Sequence, residues 1–385
     1  MSSFSVLAAA APPAPGVGRV VIEAAYYAGP AIAVGVGSTV AWLAPPESTG
    51  GVVAGRVRRL AIPAAILVAV TTLLEFVAVA ARTERTGIGS AFGRSVLDGY
   101  LHAKPARGNT LGAGTVGVLQ LGVCLVLVLS LVLLRVRGAR SAGWAVAVLG
   151  VLTIAVPRIP FGPVHTDGLA ESVLTTVHLA GALLWAGGLL VLAFIGVTGL
   201  LRRSPVDAET TDRVAAEWSR IWARFGSVAL VAVGLLVVSG SWLAWTHVGT
   251  PAQLFTTPYG RYLAIKLALV AVMLVAGGYN ARVLLPRIEA ARAGGDRVGV
   301  LWLAVRHFPK VVAVEAIAAV GVLLVVPFLA GSARTEAGWA AARSFDLTVF
   351  GTGVVLAGLV AAALWAGSRT APRGSADARE SVRAA

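Results

Sequence analysis

The sequence predicts an all-α polytopic membrane protein of about nine transmembrane helices, with the N-terminus outside and the C-terminus in the cytoplasm. Hydrophobic residues make up 57% of the 385 residues and charged residues only 13%, a balance that soluble domains do not show. The mean hydropathy is +0.83. Apolar runs long enough to cross a bilayer recur along the chain, and within hydrocarbon such a run must be helical to satisfy its backbone hydrogen bonds.

Nine apolar runs account for the predicted spans. A window of about 19 residues places them at residues 20–44, 60–81, 111–134, 142–157, 172–201, 225–247, 259–285, 308–331 and 344–367. The fourth run is short and ends at Pro157. These spans divide the chain into an outer tail (1–19), an N-terminal helical membrane half of about four helices (20–160), a second membrane domain (161–331), a last transmembrane helix (332–367) and a basic cytoplasmic tail (368–385).

The basic residues indicate the orientation of the chain and exclude one class of partner. The formal net charge is +14, but the arginines lie between apolar runs instead of on one soluble surface, so we expect no nucleic-acid partner. With the N-terminus outside, 21 of the 32 Lys and Arg residues fall in cytoplasmic segments and ten fall outside, as the positive-inside rule requires. We therefore expect a multi-pass protein in the lipid bilayer of the bacterial plasma membrane.

A histidine inside the fifth predicted span is the most informative polar residue. His178 lies about six residues into that span, roughly 9 Å below its outer end, and an imidazole in hydrocarbon is costly and marks function. His165 lies in the outer loop before the span, with Asp167 and Glu171 between the two histidines as candidate oxygen ligands. Two imidazoles and nearby carboxylates at one membrane face predict a metal site.

The same span carries small residues near an aromatic residue. Trp185 follows His178 by seven residues, so both lie on one face of a helix. Gly181 and Gly188 share that face, and glycines let a neighbouring helix approach closely. This pattern is typical of a narrow cavity between helices and also of ordinary transmembrane packing.

Ionisable residues in three other spans are expected to face protein or water and to find partners. Glu75 is in the outer half of the second span, where it could assist the histidine site, carry a proton or tie helices together. Lys266 is in the outer half of the seventh span. Glu315 is in the inner half of the eighth span, and we expect it to pair with Arg282 or Arg224 near inner helix ends.

Motifs of soluble enzymes are missing from the sequence. It contains no phosphate-binding loop, no His-Glu-x-x-His zinc helix, no Cys-x-x-Cys pair and no nucleophile elbow, so we expect that the protein is not an enzyme. Cys124 is the only cysteine, and Met1 and Met273 are the only methionines. A disulfide and a methionine-rich metal pathway are therefore not expected.

Several short motifs between residues 160 and 330 are together typical of one family. They are His165; His178 with Trp185-Ala-Gly-Gly188; Arg224-Phe225-Gly-Ser227 with Gly240; Tyr259-Gly260-Arg261 with Lys266; Asn280-Ala-Arg282 with Pro286; and Glu315. This segment resembles the copper resistance family CopD, a membrane domain also found in YcnJ-type copper proteins. The resemblance extends to the first 160 residues only in hydropathy and layout.

The resemblance implies copper ion transport, in particular uptake across the plasma membrane, or copper tolerance. It also implies that His165 and His178 correspond to the family's recurring histidines. A soluble copper-binding domain is absent, so a separate extracytoplasmic copper-binding protein is an expected partner. Histidines with a carboxylate and no nearby sulfur favour Cu(II) or another borderline metal, zinc included.

Two alternatives remain open at this point. A haem-binding membrane redox protein would need two axial histidines on facing helices at similar depth, with His247 or His165 completing a pair with His178. A copper-delivery factor for respiratory oxidase assembly would use the same outer site as an uptake protein.

Overall fold

Helices account for all the regular secondary structure in the part of the chain that the structure describes, which confirms the predicted all-α membrane fold. The structure is a computed structural model. It describes residues 13–44, 51–106, 108–163, 166–201, 208–284, 286–288, 290, 294 and 308–339, with isolated positions between 351 and 362.

Twelve helices can be followed in the described residues. They are α1 (Val17–Ser38), α2 (Val52–Arg59), α3 (Ala61–Thr83), α4 (Arg94–Leu101), α5 (Ala113–Arg137), α6 (Arg140–Ala155), α7 (Thr166–Leu201), α8 (Ala208–His247), α9 (Gln253–Thr256), α10 (Pro258–Tyr279), α11 (Phe308–Val325) and α12 (Ala333–Glu336). Short turns of π-helix extend α1 and α10, over Thr39–Leu43 and Asn280–Leu284, and 3₁₀ turns extend α6 and α11, over Val156–Arg158 and Val326–Phe328.

Eight of these helical segments are long and apolar enough to cross a membrane. They are Val17–Leu43, Val52–Thr83, Ala113–Arg137, Arg140–Arg158, Thr166–Thr198, Arg220–His247, Pro258–Ile288 and Lys310–Phe328. They coincide with the first eight predicted spans. The ninth, at 344–367, lies outside the described residues apart from isolated positions, and it stays a prediction, as does the orientation of the chain.

Local sequence explains where two of the spanning helices begin and end. α5 ends at Gly138, whose φ of +63° is the left-handed conformation that glycine adopts without a Cβ penalty. α10 begins with Pro258, which needs no hydrogen-bond partner for its nitrogen at a first helical position. The Thr257 side chain accepts a hydrogen bond from the Gly260 backbone N–H at 3.0 Å and so caps this helix.

The fifth span differs from its prediction in one respect that matters for the site. α7 begins at Thr166, so Asp167 and Glu171 lie on its first two turns and not in a loop. The helix extends beyond the apolar run because an acid in the first turn interacts favourably with the positive end of the helix dipole. His178 follows Thr166 by twelve residues, so it lies about 18 Å along the helix from its first residue, and its depth below the membrane surface stays a prediction.

α7 joins the two halves of the bundle. In the N-terminal half, α1 packs against α3 and α6, and α5 packs against the same two helices. α7 packs against α1 on one side and against α8 and α11 on the other, and α11 packs in turn against α10. The buried middle of α7, which includes Leu189 and Leu192, therefore lies at the centre of the molecule, whereas several residues of its first two turns are exposed.

Glycines bring α7 close to both of its main neighbours. A Cβ on Gly187 would overlap the carbonyl oxygen of Ala31 in α1, and a Cβ on Gly188 would lie 2.6 Å from the Phe225 ring in α8. A Cβ on Gly181 would lie 3.1 Å from the carbonyl oxygen of Ala232 in α8. These contacts hold α7 in a fixed position and therefore fix the side chains that it carries.

Candidate functional site

His178 on α7 is held by a hydrogen bond to α8. Its Nδ1 lies 3.1 Å from the Ser239 Oγ, and that hydroxyl donates its single proton to the Leu235 carbonyl oxygen at 2.6 Å. Nδ1 must therefore carry the proton that it shares with Ser239, because the hydroxyl has no second proton to give. In the neutral imidazole the lone pair is then on Nε2, the nitrogen that remains open to a ligand.

The space around the ring is small on the α8 side. A Cβ on Gly240 would lie 3.4 Å from His178 Cε1, so glycine leaves just enough room for the imidazole between α7 and α8. Trp185, two turns further along α7, is buried in the main hydrophobic cluster. The ring of His178 is thus enclosed by helix packing while its Nε2 has no hydrogen-bond partner among the described residues.

Lys266 on α10 is the charged group that acts on His178 through its electric field. The ion pairs found in the described residues do not include Lys266. An ammonium group near a metal ligand repels a bound cation. Lys266 thus lies close enough to His178 for its charge to oppose a second positive charge there.

The other predicted ligands on this side do not surround His178 within the described residues. Asp167 and Glu171 are exposed, and they precede His178 on the same helix by eleven and seven residues, or about 16 and 10 Å along its axis. All three side chains lie on one face of α7. They form a sequence of polar groups along that face and not one ligand cluster. His165 lies outside the described residues.

Glu75 on α3 belongs to a separate charged network in the N-terminal half. Its Oε1 accepts a hydrogen bond from Arg82 Nη2 at 2.6 Å, and Arg82 also lies 3.8 Å from Glu23, which pairs with Arg19 at 2.6 Å. Nearby, burial raises the pKa of the Tyr100 phenol, which donates a hydrogen bond to the Ala113 carbonyl oxygen. Glu75 thus has Arg82 as its partner and contributes to tying α1 and α3 together.

Glu315 on α11 has a partner that differs from the predicted one. Asn280 Nδ2 donates a hydrogen bond to Glu315 Oε1 at 2.8 Å, and both residues are buried. The expected pairing with Arg282 or Arg224 is wrong: Arg282 is exposed, and Arg224 donates to the Trp42 carbonyl oxygen at 3.3 Å. The π-helical turn that begins at Asn280 turns this amide toward α11 and leaves Arg282 on the outside.

One face of α10 extends along the bundle from Lys266, near His178, to Asn280, which binds Glu315. Few residues of α10 and its π-helical extension are buried, but Tyr259, Met273 and Asn280 are among them, and Lys266 is partly buried. These four residues follow each other at intervals of seven, which places them on one helix face about 10 Å apart. The seven-residue spacing was visible in the sequence, but only burial shows that this face points into the protein. Met273 was therefore missed as a candidate site residue.

His247 is the last residue of α8, and in the predicted topology it lies at the extracellular end. His247 Nδ1 donates to the Leu243 carbonyl oxygen at 2.9 Å, and its ring stacks on Tyr259 with a 5.7 Å centroid separation. Glu336 accepts a hydrogen bond from the Tyr259 backbone N–H at 2.9 Å. His247 follows Ser239 by eight residues, so it lies about 12 Å beyond the level of His178.

Two chemical consequences follow for cofactors. Among the described residues, no group of three His, Cys, Asp or Glu side chains is placed to hold a metal ion. A haem between two axial histidines needs both at similar depth, and His247 is about two helical turns away from that level. His178 and His247 therefore do not form an axial pair for one haem.

Comparison with protein families finds a match in this part of the chain. The family model of copper resistance protein D, CopD, matches residues 219–329. No curated protein and no solved structure matches the chain. The matched segment contains Ser239, Lys266, Met273, Asn280 and Glu315, whereas His178 precedes it. The predicted resemblance to the CopD copper resistance family is thus confirmed over residues 219–329, which include most of α8 and all of α10 and α11.

Proposed function

We propose that this protein carries copper ions inward across the bacterial plasma membrane and that His178 is the ligand within the membrane. The family match supports a role in copper resistance or transport. The observation that carries the finer proposal is the Ser239 hydrogen bond, which directs the lone pair of His178 to Nε2. An oriented imidazole within a membrane helix is the arrangement expected of a metal ligand.

The outer approach to His178 follows the first turns of α7. In the N-out topology, Asp167 and Glu171 lie at the extracellular end of this helix, and His165 immediately precedes it. We propose that these three residues receive copper from a separate extracytoplasmic copper-binding protein. We leave Glu75 out of the ligand set because it pairs with Arg82 in a separate charged network of the N-terminal half.

The inward continuation follows the buried face of α10. Met273 lies seven residues beyond Lys266, and Asn280 with its partner Glu315 lies seven residues further. The thioether of Met273 changes the expectation of Cu(II), which assumed no sulfur near the site. An imidazole followed by a thioether in apolar surroundings favours Cu(I), because soft sulfur ligands prefer the monovalent ion. Lys266 weakens cation binding beside His178, which assists release, since conduction requires that an ion leave each site.

Copper accumulation in cells tests the proposal. In a strain that lacks the gene, wild-type protein should raise cellular copper, whereas His178→Ala should not. His102→Ala is the matched control, because His102 is exposed and pairs with Asp98 at 3.2 Å on α4, away from the proposed path. Both variants must reach the membrane in equal amounts, as judged by immunoblot.

The outcomes separate the proposal from its alternatives. Equal copper accumulation with His178→Ala and His102→Ala would refute the role of His178. A Soret band in the purified protein would favour the haem-binding alternative. Normal copper content in the deletion strain with reduced oxidase activity would favour a copper-delivery factor.

A further inference from the structure

An apolar groove lies between the two halves of the molecule, outside the proposed copper path. It is formed by α1, α3, α7 and α11, has a volume of about 460 Å³ and is lined by carbon-rich side chains only. Its lining combines alanines, among them Ala24 and Ala28 of α1 and Ala64 of α3, with larger side chains such as Phe194 and Leu323. Small residues facing large ones on adjacent helices create the recess.

The groove lies within the depth of the hydrocarbon layer. All its lining residues belong to four of the membrane-spanning segments. It extends from Leu60, at the start of α3, to Ala24 in the first third of α1, which begins at the opposite end of the bundle. Phe194, Val320 and Leu324 are 54%, 45% and 43% exposed, so the groove opens sideways toward lipid. The medium that reaches such a groove is acyl chain and not water.

One end of the groove is next to a cluster of arginines. Leu60 directly follows α2, whose last turn contains Arg56, Arg58 and Arg59, and Arg59 is exposed. Basic side chains at the cytoplasmic end of membrane helices attract anionic lipid head groups. The buried acid Glu217 accepts hydrogen bonds from the Val53 and Ala54 backbone N–H groups, at the opposite end of α2 from Arg59. The ion pairs found among the described residues do not include Arg59.

We propose that the groove binds one acyl chain of an anionic phospholipid whose phosphate lies against Arg59. The chain fills the recess between α1 and α3 on one side and α7 and α11 on the other. The lipid thereby joins the N-terminal half to the half that carries the family match. This proposal does not depend on copper transport, because none of the groove residues lies on the proposed path.

Lipid retention by the purified protein tests the site. Native mass spectrometry after detergent washing should show one phosphatidylglycerol bound to the wild type and much less phosphatidylcholine. Arg59→Gln should reduce phosphatidylglycerol retention to the phosphatidylcholine level. Arg137→Gln is its control, because Arg137 is an exposed arginine at the same end of the bundle, in the last turn of α5. It should retain phosphatidylglycerol as the wild type does.

A second pair of variants tests the apolar part independently of charge. Val320→Trp places a large ring in the groove and should abolish retention of both lipids. Val272→Trp is the control, since Val272 on α10 is also 45% exposed but lies outside the groove. Circular dichroism must show native helicity for each variant.

Three results would overturn the proposal. The first is equal lipid retention by Arg59→Gln and Arg137→Gln, or by Val320→Trp and Val272→Trp. The second is thermal stabilisation by inorganic phosphate equal to that by phosphatidylglycerol. The third is a wild-type dimer that Val320→Trp converts to a monomer, which would assign the groove to a second copy of the chain.

Discussion

His178 Nδ1 and Ser239 Oγ lie 3.1 Å apart and connect α7 to α8. The family match begins at residue 219, so Ser239 lies inside it and His178 lies outside it. The candidate ligand is therefore oriented by a residue of the matched segment although it is not part of that segment. Because the second partner of a ligating histidine fixes the tautomer and the ring orientation, Ser239 should control metal binding without touching the metal.

Ser239→Ala should lower copper affinity by about tenfold or more, the usual cost of losing such a partner. Without the hydroxyl, Nδ1 has no acceptor, and the ring is free to rotate and to exchange tautomers. Competition with a chromophoric copper chelator in detergent measures the affinity. Ser227→Ala is the control, because Ser227 is exposed on the same helix and its hydroxyl donates to the Ala223 carbonyl oxygen of its own helix. Equal losses in the two variants would show that Ser239 acts only on stability.

Met273→Leu should slow copper uptake severalfold while leaving copper binding at His178 intact. The substitution removes the sulfur and nearly preserves the side-chain volume, so packing changes little. Initial rates of Cu(I) uptake into cells, with Ag(I) as a redox-inert probe, measure the effect.

Moving the sulfur by one residue provides the control for that prediction. Leu274 is 41% exposed and lies on the outer surface of α10, so the double variant with Met273→Leu and Leu274→Met keeps one methionine in the helix but places it toward lipid. It should transport as slowly as Met273→Leu. A wild-type uptake rate in Met273→Leu would show that the Met273 sulfur does not take part in copper transport.

The sequence was sufficient to predict the spanning helices because an apolar run of this length in lipid has no alternative conformation. Hydropathy could not predict that α7 starts at Thr166, since its first turns are polar, and it therefore did not place Asp167 and Glu171 on the same helix as His178. The partner of Glu315 depends on how the π-helical turn at Asn280 rotates the end of α10. Such contacts are set by packing between helices distant in the sequence.

Gly187→Ala should destabilise the protein by about 1–3 kcal/mol, the usual cost of adding a methyl group to a closely packed site. The new Cβ would overlap the Ala31 carbonyl oxygen, so α1 and α7 must separate. The apparent melting temperature in detergent measures this loss. Gly226→Ala on α8 should leave it unchanged or raise it, because its Cβ would meet no atom within 4 Å and alanine favours helix. If both variants had the same melting temperature, the close approach of α1 and α7 would not limit stability.

Glu217→Gln should loosen α2 from the rest of the protein. The buried Glu217 carboxylate of α8 accepts hydrogen bonds from the Val53 and Ala54 backbone N–H groups at 3.2 and 3.0 Å, at an α2 N-terminus whose N-cap, Gly51, offers no side chain. A negative charge at a helix N-terminus is stabilising, and a hydrogen bond to a charged group contributes about 1.5–3 kcal/mol. Glutamine keeps one acceptor but loses the charge, so the variant should be less stable by a fraction of that amount.

Trypsin gives a local measure of this loosening, because the last turn of α2 contains three arginines. Cleavage in α2 should be faster in Glu217→Gln and faster still in Glu217→Ala, which removes both acceptors. Glu171→Gln is the matched control, since Glu171 is exposed on α7 and its substitution should leave the cleavage rate unchanged. Wild-type cleavage in Glu217→Ala would show that the buried Val53, Ala54 and Val57 side chains hold α2 without the carboxylate. Faster cleavage would establish that α8 fixes α2 through this charge, and with it the arginines beside the apolar groove.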